Sequence, residues 1–325
     1  MKKNIFSVIQ PSGKIHIGNY LGAIKNWVKL QDEYDCIFSI VDYHAITVDY
    51  DPKQMQQRIF DTIATLLACG INPKKSILFV QSHIPEHTEL TWIFNTLLPI
   101  TELQRMTQFK EKSKEHSENI NAGLFTYPVL QAADILLYRA NAVPVGEDQV
   151  QHIELARKIA RKFNNKFGNY FPEPESILTK ALRIMSLIDP TKKMSKSHGS
   201  KSYIALTDKP EVIRRKISSA VTDIGPSKEM SPGVKNLFNL LNYVSTKETV
   251  DKFKKQYQAG TLKYIDLKQT LSDEIIKLLK PIQERRNELI KKPDRVWKIL
   301  KHGAKQAQKI AERNMGEIRR IVGVR

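Results

Sequence analysis

Asn4-Ile5-Phe6-Ser7-Val8-Ile9-Gln10 is followed by Pro11-Ser12-Gly13 and then by an amphipathic run from Ile17 to Leu30. The first segment is short and apolar, which reads as a buried strand. Pro-Ser-Gly turns the chain. In the next run Tyr20, Leu21, Ile24, Trp27, Val28 and Leu30 form a broad apolar face at helical spacing. The pattern then repeats. Cys36–Asp42 (CIFSIVD) reads as a second strand, and Asp51-Pro52 opens a helix that ends near Gly70. Ser76–Gln81 (SILFVQ) reads as a third strand, with a helix from about Glu86. Alternation of this kind implies βαβ units, hence an α/β fold with a parallel sheet and right-handed crossovers. Ligands of such sheets bind beyond the carboxyl ends of the strands, where His16-Ile17-Gly18-Asn19 falls.

Further along, residues 111–122 form a polar loop, and a helix from about Thr126 carries Gln131 and Asp134 three apart. Ala142–Val145 (AVPV) is a short strand, and Glu147-Asp148-Gln149 opens a helix reaching about Phe163. A link rich in Asn, Gly and Pro covers about 164–174. From roughly Lys209 the period is helical, with turns at Gly225-Pro226, Pro232-Gly233, Gly260 and Pro293. Two domains are expected: 1–206, built on the parallel sheet, and 207–325, all helical. The stretch 293–324 is left open to pack back on the first domain, so that boundary is soft.

The 325 residues carry a net charge of +18. It is uneven, +5 over residues 1–206 and +13 over 207–325. A lysine-rich solvated surface accounts for part of this, but asymmetry between halves favours a surface for a polyanion, and here nucleic acid. No apolar run approaches the roughly 20 residues of a membrane span, and the basic start lacks the apolar core of a signal peptide. Cys36 and Cys69 lie in apolar segments with no second pair for a metal site. They are expected to be reduced and buried, as in a cytoplasmic protein. His83 and His87 mimic half of a zinc site, but no third ligand stands at a usable spacing, so both read as structural.

Lys193-Met194-Ser195-Lys196-Ser197, with Lys192 before it, places two lysines three apart on a Ser-rich loop. Two mobile cations, together with the donors of a His-x-Gly-Asn turn, suit chemistry at a nucleotide triphosphate. A turn opening a helix also offers backbone N–H groups and the helix dipole to phosphate.

These pieces in this order (Gln10-Pro11-Ser12-Gly13, His16-Ile17-Gly18-Asn19-Tyr20, Asp42-x-His44-Ala45, Val143-Pro144-Val145-Gly146-Glu147-Asp148-Gln149, then the KMSKS loop) resemble the class I aminoacyl-tRNA synthetases, within them the bacterial tryptophanyl branch. The resemblance runs nearly end to end and implies a Rossmann-like nucleotide-binding domain followed by a helical anticodon-binding domain. It implies activation of tryptophan by ATP, release of pyrophosphate and transfer to tRNA(Trp). Mg²⁺ would travel with ATP and need no protein cage. A homodimer is implied, with no DNA and no membrane among the partners.

By the same resemblance Lys193 and Lys196, with Lys192, hold the departing phosphates, and His16 and Asn19 assist. Gln10, Pro11, Ser12, Gly18, Asn19, Lys112, Gly146, Asp148, Arg183, Ile184, Met194 and Ser195 complete the ATP contacts. Gly18 would let the base approach the backbone. Phe6, His44, Val143 and Val145 wall the indole, while Tyr127 and Gln149 hold the α-amino group. Asp134 accepts the indole N–H, the one polar group of that side chain and a donor only. Asn19 departs from the second His of the class and agrees with the tryptophanyl branch. Gln131 replaces the Met of many bacterial members and matches the Gln of tyrosyl enzymes, so tyrosine is the alternative substrate. A synthetase-like RNA-binding protein without catalysis is the other reading; it would be expected to lose the signature lysines or the His-x-Gly turn, and both are intact.

Overall fold

The computed structural model describes residues 2–109, 119–178, 184–222 and 230–324. Strands β1 (Asn4–Ile9), β2 (Asp35–Ile40), β3 (Ser76–Val80), β4 (Ala142–Val145) and β5 (Glu175–Leu178) form one parallel sheet in the order β3-β2-β1-β4-β5. Phe6 pairs with Ile37, and Ile37 with Ile77, in a ladder without slips. The order reverses at β1, which puts the ends of β1 and β4 at the switch point of the sheet. β5 follows directly on the link at 164–174, in a stretch to which sequence reading assigned no strand. Its four residues are exposed or half-buried at an edge, so they lack the apolar run that marks the inner strands.

Helix α1 begins with Ile17–Asn19, continues as a π turn over Tyr20–Ile24 and ends as Lys25–Leu30. The short helix α2 covers Asp42–Ala45. Helix α3 (Pro52–Cys69) has the expected ends: Asp51 caps it by accepting from the Lys53 N–H, and Gly70 closes it at φ 113°, a conformation that favours glycine. Helices α4 (Glu86–Asn95), α5 (Ile100–Gln104), α6 (Ala122–Leu137) and α7 (Val150–Phe167) flank the sheet. Helix α6 starts four residues before the expected position, because Asn121 caps it through the Leu124 N–H and Pro128 is accommodated inside. The remaining helices are α8 (Pro210–Ser218), α9 (Pro232–Val244), α10 (Lys247–Gln258), α11 (Tyr264–Ile290) and α12 (Pro293–Val322).

The chain divides into two compact units. One comprises residues 1–12, 26–180 and 292–325 and contains the whole sheet. Within it α12 lies so close to β3 that a Cβ on Gly303 would stand 2.0 Å from the Leu78 carbonyl oxygen. The other comprises residues 13–25 and 181–291. These units do not follow a single cut at 206. Residues 15–17 join the second unit through backbone bonds, Leu206 N–H to the Ile15 carbonyl and Ile17 N–H to the Ile204 carbonyl, each 2.9 Å.

Candidate active site

In the sheet unit, Asp134 is completely buried on α6. An isolated carboxylate there would be prohibitively costly, so its surroundings must supply donors. They do. Gln81, the first residue after β3, donates its Nε2 to Oδ1 at 2.7 Å. His87 Nδ1 reaches the same oxygen at 2.6 Å, and His44 Nε2 reaches Oδ2 at 2.9 Å. Burial by itself raises the carboxyl pKa, but the charge and hydrogen bonds of His87 and His44 outweigh it and hold Asp134 below the usual carboxylate value. Asp134 is therefore ionised. A carboxylate has about four acceptor positions. Among the described residues three are filled, and the one left is on Oδ2.

Val143 and Val145 of β4 are buried, and Tyr127 meets the ring of His44, a donor to Asp134, edge-on at 6.2 Å. The Tyr127 hydroxyl lies 3.1 Å from His152 Nε2. Phe6 stacks on Tyr138 with ring centres 5.4 Å apart. Gln131 is half-buried and donates to Gln149 Oε1 at 3.4 Å, while Gln149 donates to Asp148 at 3.1 Å. Gly146 is half-buried and Asp148 exposed, on the 3₁₀ turn that leads into α7. Gln10 is oriented by a long 3.5 Å bond to the His44 carbonyl; Pro11 is buried and Ser12 exposed. Lys112 and Arg183 lie outside the described residues.

The phosphate motifs meet in the second unit. Met194 is buried and serves as the anchor of the KMSKS loop, with its N–H bonded to the Ile184 carbonyl at 2.9 Å. Ile184 is itself buried, and Met185 pairs with Lys193 in an antiparallel bridge. The loop thus turns its lysines outward: Lys193 is exposed and Lys196 half-buried. Lys192 pairs with Asp189 at 3.3 Å, at exposed positions. Ser195 and Ser197 share a 2.7 Å hydroxyl contact, and Ser202 donates to the Ser195 carbonyl at 2.7 Å. Lys196 lies over the turn at Gly13, its Cδ 3.6 Å from where a Cβ would stand. Segments some 180 residues apart in sequence are thereby brought together.

His16 and Asn19 form a reciprocal cap on α1. The Asn19 N–H donates to His16 Nδ1 at 3.3 Å, and the His16 N–H donates to Asn19 Oδ1 at 3.1 Å. Burial, then the charges of Lys196 and Lys193, push the His16 pKa down to about 3. The ring is neutral at physiological pH, and since Nδ1 accepts, its proton sits on Nε2, which is a donor. The expectation that backbone N–H groups of this turn bind phosphate needs revision. Those of Ile17 and Asn19 are already spent. Gly18 also serves a purpose beyond access for a base: a Cβ there would press on the His16 ring at 3.0 Å.

His83 and His87 part company. His83 borders a groove of about 550 Å³ with Trp297, Leu300 and Lys301, whereas His87 is fully buried against Asp134. Among the described residues no three His, Cys, Asp or Glu stand together as a metal site. Sequence reading passed over Gln81 and Tyr138 and took His87 as structural only. The usable signal was position, since Gln81 and His87 follow the carboxyl end of β3.

The family model for class I tRNA synthetases (W and Y) matches residues 2–280. The chain belongs to this family. As a class I synthetase it is 49% identical over 331 residues to the tryptophan–tRNA ligase of Clostridium acetobutylicum, covering 99% of this chain and 97% of that protein. It is 46% identical to that of Wolinella succinogenes, over 100% of this chain and 99% of that one. The tryptophanyl-tRNA synthetase of Campylobacter jejuni, solved with ADP and tryptophan, superposes with a TM-score of 0.86 at 35% identity, covering 98% and 99% of the two chains. Tyrosyl-tRNA synthetase from Aeropyrum pernix shares the synthetase fold with a TM-score of 0.67 at 20% identity.

Proposed function

We propose that this protein is a tryptophan–tRNA ligase. The observation that carries the reading is Asp134: a buried, ionised carboxylate with one acceptor position left, which suits the donor-only indole N–H. End-to-end similarity to tryptophan–tRNA ligases supports it.

The tryptophan carboxylate attacks the α-phosphate of ATP, the bond to the bridging oxygen breaks, and pyrophosphate leaves. The carboxylate is a nucleophile at neutral pH and needs no general base. The protein's share is alignment and charge stabilisation. Lys193 and Lys196 hold the β- and γ-phosphates as they depart, supported by the Ser195 hydroxyl, the neutral His16 Nε2–H and Lys192. Gln10, Gly146 and Asp148 hold the remainder of ATP, and Ile184 lies along the adenine. Tyr127 and Gln149 hold the α-amino group. In the second step a ribose hydroxyl at the 3′ end of tRNA attacks the activated carbonyl and AMP leaves.

The cations and hydroxyls around the KMSKS loop suit phosphate oxygens rather than a metal, so Mg²⁺ enters on ATP with most of its waters. The basic helical region 207–325 binds tRNA and reads unpaired anticodon bases. The protein acts in the cytoplasm as a homodimer; Trp92 and Ile100, 73% and 65% exposed, are apolar side chains suited to a subunit contact. No helix among the described residues is long and apolar enough to cross a membrane.

ATP–pyrophosphate exchange with each of the twenty amino acids tests the reading. Exchange driven by tryptophan is expected. Exchange driven by tyrosine, or by none of them, overturns it.

A further inference from the structure

We propose that His87, backed by Tyr138, is a positioning residue for amino-acid selection: it fixes the one acceptor position of Asp134 and makes the pocket choose an N–H donor. The inference rests on the tryptophan reading above and extends it to residues that do not touch the substrate.

His87 is fully buried, with Nδ1 2.6 Å from Asp134 Oδ1 and Nε2 2.9 Å from the Tyr138 hydroxyl. A bare ring nitrogen against a carboxylate oxygen would set two lone pairs face to face. Nδ1 therefore carries a proton and donates. Tyr138 keeps its own proton, because burial, then the charges of Asp134 and Glu86, push its hydroxyl well above the usual phenol value. Its hydroxyl stands 2.9 Å from Nε2 and holds the far side of the ring, which fixes the direction in which Nδ1 points. The chain of contacts runs from the Tyr138 hydroxyl to Nε2, and from Nδ1–H to Oδ1. Phe79 and Tyr138 pack about the imidazole at 5.9 and 5.5 Å and hold its plane.

The consequence lies at the other oxygen. With Gln81 and His87 both on Oδ1, the carboxylate cannot rotate without breaking two charge-assisted bonds. Oδ2 is then held with His44 on one side and a single acceptor position on the other. The N–H groups of His87, Gln81 and His44 that face the anion are all spent on it. A phenol brings lone pairs that need a donor as well as a proton that needs an acceptor; an indole brings only the N–H. The network thus favours the indole by providing acceptance and withholding donation, which is negative selection as much as positive.

The test compares tryptophan with β-(3-benzothienyl)alanine, in which sulfur replaces the indole N–H, by ATP–pyrophosphate exchange. In the wild type tryptophan is strongly preferred. His87→Leu is expected to lower kcat/KM for tryptophan by roughly 10- to 100-fold, mostly through KM, the range for a lost charge-assisted bond. The sulfur isostere changes by less than about 3-fold, so the preference collapses. His87→Asn, whose amide N–H can reach Oδ1, restores much of it. Tyr138→Phe keeps the fold and lowers the preference by about 3- to 10-fold, which decides the matter should His87→Leu fail to fold. Equal losses for both amino acids in His87→Leu, or an unchanged preference in Tyr138→Phe, overturn the role of His87 and leave the ligase reading standing. No tryptophan-driven exchange in the wild type overturns the ligase reading, and this inference with it.

Discussion

The Asp134 pocket and the KMSKS loop handle anions by opposite means. In the pocket the anion belongs to the protein, is completely buried, and is held by three donors at 2.6–2.9 Å. At the loop the protein presents cations on an exposed or half-buried segment, anchored by one buried methionine. The difference follows from what each must recognise. Choosing one side chain among twenty requires a fixed, desolvated hydrogen-bonding position, because unpaired buried polar groups are what penalise the wrong substrate. Stabilising a departing phosphate requires charge that can follow it, and lysine on a surface loop does so. The pocket is rigid because specificity is geometric; the loop is open because its ligand moves.

Breaking the pocket should have the largest effect. Asp134→Asn removes the anion while leaving His44, His87 and Gln81 pointing donors at a neutral amide. A loss of about 10³-fold or more in kcat/KM for tryptophan is expected in the exchange assay. Lys196→Ala should cost less and in a different parameter: roughly 10²- to 10³-fold in the activation rate, with KM for tryptophan within about 3-fold. Were both variants to fail through KM for tryptophan, the contrast between the regions would collapse.

Gly18→Ala sharpens the comparison from inside the second unit. Its Cβ would stand 3.0 Å from the His16 ring, so the ring must give by a few tenths of an ångström and its bond from the Asn19 N–H is disturbed. We expect a 10-fold or smaller fall in activation rate and an unchanged preference among amino acids, read from single-turnover adenylate formation.

The smallest effect concerns acid stability. His16 is neutral in the folded protein down to about pH 3, while the unfolded chain protonates near 6.5. Between these values the unfolded state binds more protons, so this residue weakens the fold as pH falls from 6.5 toward 3 and has no such effect above 6.5. His16→Gln should flatten the pH dependence of urea midpoints in that window. An unaltered slope would show that His16 is not held neutral.

Much of this was legible from the chain. The alternation around β1, β2 and β3 gave the parallel sheet, because buried parallel strands are continuous apolar runs and their crossovers are amphipathic. β5 was missed because an exposed edge strand has no such run. The capped ends of α3 were visible in Asp51, Pro52 and Gly70, whereas the start of α6 was obscured by Pro128. At the site, KMSKS, His16–Asn19 and Asp134 stood out by residue type and order. Gln81 and Tyr138 did not, since a glutamine after a strand and a tyrosine after a helix are ordinary in isolation. His87 was set aside as structural once the metal spacing failed, because nothing local ties it to Asp134.

Sequence by itself determined the family, the kind of reaction and the identity of the charged groups, since those depend on residue type and local order. Tertiary structure alone decided that His16 is neutral, that Asp134 has one acceptor position left, and that His87 and Tyr138 stand behind it. Burial and the approach of groups 47 or more residues apart set protonation and hydrogen-bond occupancy, and neither is a property of a local stretch of chain.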